Sequence, residues 1–179
     1  MSLRKHPQRD AGAGDESLIR PMDPRRDREA VVACVEGLQN FERTLEPALP
    51  PGGQIARRYV EAMLQRCAAY RGRVFVAEDA EGIVGFVCVL ARIPDTPPDE
   101  HSRPHAAVGE LFVEPARRGE GIARQLLARA ESHAVEWGAE RLRVQVLAAN
   151  ESARRLYADV GFRDRLVELE KPLRDTGAD

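Results

Sequence analysis

The chain has 179 residues, enough for one well-packed domain and short for two. Hydrophobic residues make up 43% and charged residues 31%, the balance of an ordinary globular protein, and a net charge of −2 gives no reason to expect nucleic acid or an anionic membrane as partner. No apolar run reaches the roughly 18 residues of a membrane span. The opening MSLRKHPQRDAGAGDE lacks the apolar stretch of a signal peptide, so residues 1–16 are expected to be a disordered tail and the protein cytoplasmic. Cys34, Cys67 and Cys88 lie too far apart for a zinc site, and their odd number argues against a disulfide framework. Inert thiols in a reducing compartment are expected.

Ser17–Arg20 is a short strand candidate. Asp23 before Pro24 predicts an N-cap with proline at the first helical position. Ala30, Val31, Cys34, Val35 and Leu38 then recur at helical spacing, which predicts a first helix to about Phe41. The proline and glycine of ERTLEPALPPGG predict a loop over 42–53. A second helix is expected from Gln54 to Tyr70, with Ile55, Tyr59, Met63, Leu64 and Cys67 along one side. RVFVAED and GIVGFVCVLARI, joined by a turn at Asp79–Gly82, form a hairpin pattern, and the nearly unbroken apolar second strand predicts burial on both faces.

PDTPPDEHSRPH follows as a twelve-residue loop, long for this place. AVGELFVEP is a further strand. From Gly121 to Trp137, Ile122, Leu126, Leu127, Ala130 and Ala134 make one helical stripe. RLRVQVLA alternates as a half-buried strand does. Asn150 reads as the N-cap of a short helix with Ala153, Leu156, Tyr157 and Val160 on one face and Gly161 as its stop. LVELEKPL is expected to close the sheet. No internal repeat or linker interrupts this order, which predicts a single α/β domain over 17–174, a mixed sheet flanked by helices, and a short tail at 175–179.

The stretch VEPARRGEGIARQLL carries chemistry. A helix opening just after Gly119 turns its unpaired N–H groups and positive dipole end back into the preceding turn. Gly119 and Gly121 have no Cβ, so a ligand's oxygens can come close to the backbone. Arg117, Arg118 and Arg124 add charge, and together these features suit a pyrophosphate. The spacing is neither GxxxxGK[ST] nor a dinucleotide fingerprint. By itself the turn leaves open a loop that merely needed glycine.

Arg118, Gly121 and Ala123 match in order the pattern Arg/Gln-x-x-Gly-x-Gly/Ala after a strand. Asn150, Ala153 and Tyr157, then Gly161 and Phe162, match Asn-x-x-Ala-x-x-x-Tyr and Gly-Phe beyond the next strand. In this ordered set residues 108–162 resemble the GCN5-related N-acetyltransferase (GNAT) superfamily, and the upstream helices and hairpin stand in the superfamily's order. The resemblance implies a GNAT-like fold with a mixed, mostly antiparallel sheet, and acetyl-CoA as co-substrate; no pair of histidines suggests a metal. It implies that the backbone of Leu111, Phe112 and Val113 faces the thioester and pantetheine arm. Arg118, Gly119, Glu120, Gly121, Ile122, Ala123 and Arg124 would wrap the pyrophosphate, Asn150 would bond the pantetheine or its neighbourhood, and Tyr157 would sit near the sulfur.

An amine attacking a thioester needs an N–H donor for the oxyanion, an acid for the departing sulfur and an acceptor for the ammonium proton. Tyr157 fits the acid, its other reading being a core tyrosine; Asn150 doubles as an N-cap. Glu110 is a base candidate, directly or through water, and equally a strand-edge carboxylate paired with an arginine. Gln145 and Ala107 stand where some members of the superfamily carry a basic glutamate, so the base stays open. His101 and His105 read as loop residues and His133 as a helix-face boundary residue.

The expected activity is direct transfer of an acetyl group, in a ternary complex, to a primary amine of a small cationic molecule. Glu42, Glu46, Asp95, Asp99 and Glu100, in segments on the acceptor side, suggest the cation; simple solvation of exposed loops is their other reading. The alternatives are a peptide or protein amine as acceptor, and a non-catalytic acyl-CoA-binding or sensing domain. A homodimer is compatible with all of this, and neither nucleic acid nor membrane is expected.

Overall fold

The computed structural model describes residues 18–94 and 105–171. Both expected tails, and the loop from Asp95 to Pro104 with Asp99, Glu100 and His101, lie outside the described residues. Five strands, β1 (Leu18–Pro21), β2 (Arg73–Asp79), β3 (Gly82–Ile93), β4 (His105–Val113) and β5 (Arg141–Val144), form one sheet in the order β1-β2-β3-β4-β5. All neighbours are antiparallel except β4 and β5, which run parallel. The sheet is therefore mixed and mostly antiparallel, as expected.

Strand alternation sends side chains to two covered faces. Val74 and Val76 of β2 and Phe86, Cys88 and Leu90 of β3 pack under α1 (Arg28–Leu45) and α2 (Gly52–Ala69). Phe75, Ala77, Val87 and Val89 pack on the other side against α3 (Ile122–Glu136) and Tyr157 of α4 (Glu151–Asp159). Burial of β3 on both faces accounts for its unbroken apolar run.

Several boundaries differ from the sequence expectations. The first helix begins at Arg28, because Asp23 caps a separate turn: its Oδ1 accepts the Arg25 N–H at 2.9 Å and its carbonyl the Asp27 N–H at 2.8 Å. The same helix continues to Leu45, so Glu42 belongs to a helix and not to a loop. His105 is the first residue of β4, buried beside Arg143, and not a loop residue. His133 is a core residue: it is buried, stacks edge-on against Phe75 and hydrogen-bonds the Arg71 carbonyl at 3.0 Å. β5 ends at Val144, short of the expected stretch to Ala148.

The closing strand is absent over the described part of LVELEKPL: residues 166–171 have no strand partner, and Leu166, Val167 and Leu169 are exposed. Alternation is a local property, whereas a strand exists only where a neighbour supplies hydrogen bonds. No helix among the described residues is long and apolar enough to cross a membrane.

Candidate active site

β4 carries one residue too many for its pairing with β3. Cys88 stands opposite Glu110 and Val89 opposite Val108, so Gly109 bulges out unpaired. The extra residue reverses the alternation. Ala106 and Val108 point to the α3 face, whereas beyond the bulge Glu110 and Phe112 point to the α1–α2 face. A regular strand would have buried Glu110 under α3.

At the same place β4 parts from β5. The two pair only over His105–Val108 with Arg141–Val144. The Glu114 N–H bonds the Val84 carbonyl at 2.9 Å. By antiparallel alternation, Phe112 and Glu110 also spend their backbone groups on β3, while Leu111 and Val113 direct theirs toward the side β5 has left. Two strand N–H groups thus open into a gap.

The gap ends at the glycine turn. After a single 3₁₀ turn at Pro115–Arg117, Gly119 has φ +88° and Gly121, the N-cap of α3, φ +83°. A Cβ added at either glycine would meet nothing within 4 Å. The backbone angle, not crowding, demands glycine there, and the space in front stays open. The N–H groups of Ile122, Ala123 and Arg124 begin the helix with no carbonyl behind them. The arginines are partly committed. Arg117 pairs with Asp79 and with Glu120, and Arg124 with Asp159 at 2.8 Å. Arg118 lies over the Phe41 ring, 5.2 Å from its centroid, and its Nε bonds the Val113 carbonyl. The donors this turn leaves free are thus mainly backbone amides.

On the other side of β4, the Tyr59 hydroxyl donates to Glu110 Oε1 at 2.6 Å, and Arg66 lies 3.5 Å from the same oxygen. Glu110 is 6% exposed, and its Oε2 is buried with no N–H or O–H donor among the described residues. Burial, reinforced by the Glu110 charge, pushes the Tyr59 phenol well above its ordinary range. Glu42, half-buried on α1, has its carboxyl held up by burial and then by Glu110. Tyr157 is pushed up to about 12 by burial and then by Glu42. Glu42 is therefore within electrostatic reach of both Glu110 and Tyr157, which come from opposite faces of the sheet.

Over residues 27–162, well over half of its length, the chain matches the acetyltransferase (GNAT) family. The chain belongs to the GNAT family. It is 34% identical over 91 residues to an uncharacterized N-acetyltransferase, YycN, of Bacillus subtilis (strain 168), a match that covers 51% of this chain and 54% of that protein. The chain thus matches about half the length of that curated relative. Among solved structures, a transcriptional regulator from Bacillus halodurans C-125 shares the fold with a TM-score of 0.66 and 24% identity, over 88% of this chain and 99% of that one. AAC(6')-Iy, solved with the bisubstrate analogue CoA-S-monomethyl-acetylneamine, shares it with a TM-score of 0.61 and 22% identity, over 87% and 98%.

Within this GNAT fold the expected residues fall into two groups. Leu111, Val113 and residues 118–124 follow one another along the end of β4 and into α3, whereas Phe112 turns its backbone to β3 and its ring to the α1–α2 face, away from that path. Ile122 sends its side chain into the core, so only its backbone faces the turn. Asn150 is the N-cap of α4: its Oδ1 accepts the Ala153 N–H at 3.1 Å. Tyr157 packs edge-on against Phe162 at 5.5 Å, yet its hydroxyl makes no hydrogen bond with the described residues. Gln145 is exposed beyond the end of β5 and Ala107 is half-buried in β4. Sequence reasoning missed Tyr59 and Arg66 as neighbours of Glu110; the available signal was a hydroxyl within an otherwise apolar helix stripe. It also missed that Cys67 and Cys88 lie 3.6 Å apart, sulfur to sulfur, beneath Glu110.

Proposed function

We propose that this protein transfers an acetyl group from acetyl-CoA to a primary amine of a small cationic molecule, by direct attack in a ternary complex. One observation carries the reading. β4 separates from β5 after Val108, and its outward N–H groups at Leu111 and Val113 open into a gap that ends at the amide-lined glycine turn. That path suits a long thioester with a pyrophosphate at one end. The open space before Gly119 and Gly121 has room for the phosphates, which the backbone of residues 118–124 would hold. Asn150 would steady the pantetheine arm.

Bound acetyl-CoA supplies an activated carbonyl. The N–H of Leu111 or Val113 would donate to the carbonyl oxygen as it gains charge, a preorganised contact that needs no rearrangement during reaction. Glu110 would take the ammonium proton, and Tyr157 would donate to the departing sulfur. A cationic acceptor is supported by the charge balance. Glu110 and Glu42 share this region, and among the described residues Arg66 alone brings a cation to them, at 3.5 Å from Glu110. The analogue bound to AAC(6')-Iy, which joins CoA to an acetylneamine, supports an amine of that kind as partner for this fold.

The test is release of free thiol from acetyl-CoA in the presence of polyamines, aminoglycosides, amino-acid derivatives and peptides. Release with a small polycationic amine is expected. Gly121→Asp, which puts a carboxylate where the phosphates belong, should abolish acetyl-CoA binding by calorimetry in a folded protein. Tight acetyl-CoA binding without turnover on any amine would instead mark a binding or sensing domain, and turnover on peptides alone would move the acceptor class.

A further inference from the structure

The two oxygens of Glu110 are treated unequally. Oε1 accepts the Tyr59 hydroxyl at 2.6 Å and has Arg66 at 3.5 Å. Oε2 is buried with no N–H or O–H donor among the described residues, the Cys88 thiol directly across on β3 being the further group that interacts with this carboxyl. A free carboxylate turns about a broad terminal torsion. A short O–H···O⁻ bond is charge-assisted and removes that freedom. Tyr59 can hold this contact because α2 packs its ring, half-buried, against the cluster under the sheet, and the Gly109 bulge brings Glu110 to that face.

We propose that Tyr59 is a positioning residue for proton transfer: by occupying Oε1 of Glu110 it fixes the carboxylate and presents Oε2 as the oxygen that receives the proton of the incoming ammonium. This rests on the reading of Glu110 as the base. An N–H bond of the ammonium breaks and its proton moves to Oε2. The freed lone pair bonds the thioester carbonyl carbon as the carbonyl π pair moves to oxygen. The oxyanion then collapses, the C–S bond breaks, and the departing thiolate collects the second nitrogen proton, leaving the amide and free CoA thiol. Tyr59 keeps its own proton throughout, since burial and the Glu110 charge keep the phenol protonated at working pH.

The groups that face Glu110 are Glu42 from α1, Tyr59, Arg66 and Cys67 from α2, and Cys88 directly across on β3. Tyr59 faces the carboxyl as a hydrogen-bond donor, Arg66 as a cation and Glu42 as a like charge. Removing the hydroxyl with Tyr59→Phe disfavours ionisation, so the acid limb of the kcat/KM profile should move to higher pH by about one unit. The rate should fall about tenfold on that limb and recover at high pH, with acetyl-CoA affinity unchanged. In a Glu110→Gln background the same substitution should cost nothing further, because Tyr59 acts only through Glu110.

Site-specific 3-fluorotyrosine at position 59, which keeps the side-chain shape and sharpens the donor, should move the limb the other way. It serves if Tyr59→Phe folds poorly. A carboxyl-13C NMR titration of Glu110 reads the same displacement without any acceptor. An unmoved limb and unmoved NMR titration, or a full extra loss in the Glu110→Gln background, overturns the positioning role. An active Glu110→Gln enzyme with a wild-type profile overturns the base assignment itself, and the positioning role with it.

Discussion

Two tyrosines of this fold look alike in sequence, each on the apolar stripe of a helix, yet their hydroxyls differ. Tyr59 donates to Glu110, whereas Tyr157 has no partner among the described residues although its ring is buried. A sulfur arriving through the β4–β5 gap would accept a hydrogen bond from that hydroxyl. With its phenol pushed up to about 12, Tyr157 is a weaker acid than a thiol near about 8.5, so it steadies the sulfur by hydrogen bonding as charge develops rather than by giving up its proton first. Tyr157→Phe should lower turnover by about 10²-fold with little change in acetyl-CoA binding. The raised value also fixes the sign of the pH response. The phenol stays protonated from neutral pH up toward 12, so the defect should be flat across that range, unlike that of Tyr59→Phe. Full turnover in the variant would reduce Tyr157 to core packing. The tyrosine at 157 was legible because it ends a spaced motif. Tyr59 was not, since a single helix pattern says nothing about which strand residue lies beneath it.

At the scale of elements, the β4 bulge and the α3 turn frame the proposed site, and only one of them could be read from sequence. RRGEGIA announces its turn through two glycines, and both adopt positive φ. The bulge is silent: AVGELFVEP reads as one strand, and Gly109 shows its effect only when β3 is laid beside it. The lost closing strand is the same problem reversed, a convincing alternation without a neighbour. The turn lends itself to a graded test. Gly121→Ala keeps the charge and adds only a methyl into open space, at a backbone angle of +83° that disfavours it. It should cost about 1 kcal/mol of stability in denaturant unfolding and weaken acetyl-CoA binding far less than Gly121→Asp does. Equal losses of binding in the two variants would mean that distortion of the turn, and not negative charge before the phosphates, is what matters.

For the molecule as a whole, the layers are tied at one end by a buried charge cluster that no motif announces. Asp27 is 2% exposed and precedes α1. Its carboxylate accepts Arg20 of β1 at 2.6 and 3.0 Å, Arg26 at 2.9 Å and the Asp23 N–H at 2.7 Å, while Arg20 also reaches Glu78 of β2. Strand edge and helix start are thereby joined. The Arg20 hydrogen bonds, opposed by burial and helped by the Asp23 N–H and Arg26, hold the Asp27 carboxyl well below the usual carboxylate range. An unfolded chain returns it to about 3.9. Its contribution to stability is therefore complete above the unfolded value and is lost as pH falls from there toward the folded one. Asp27→Asn keeps the shape and removes the charge, leaving Arg20 with Glu78 alone as its counter-ion. It should cost about 2 kcal/mol at neutral pH, the size expected when hydrogen bonds to a charged group are weakened while the partner keeps a second counter-ion. The gap between variant and wild type should then narrow steadily from about pH 5 to pH 2, because the wild-type protein alone has this stability to lose. Denaturant midpoints measured across that interval decide the matter. A constant gap would assign the cost to disturbed packing at the start of α1, and no gap at neutral pH would make the cluster neutral to folding.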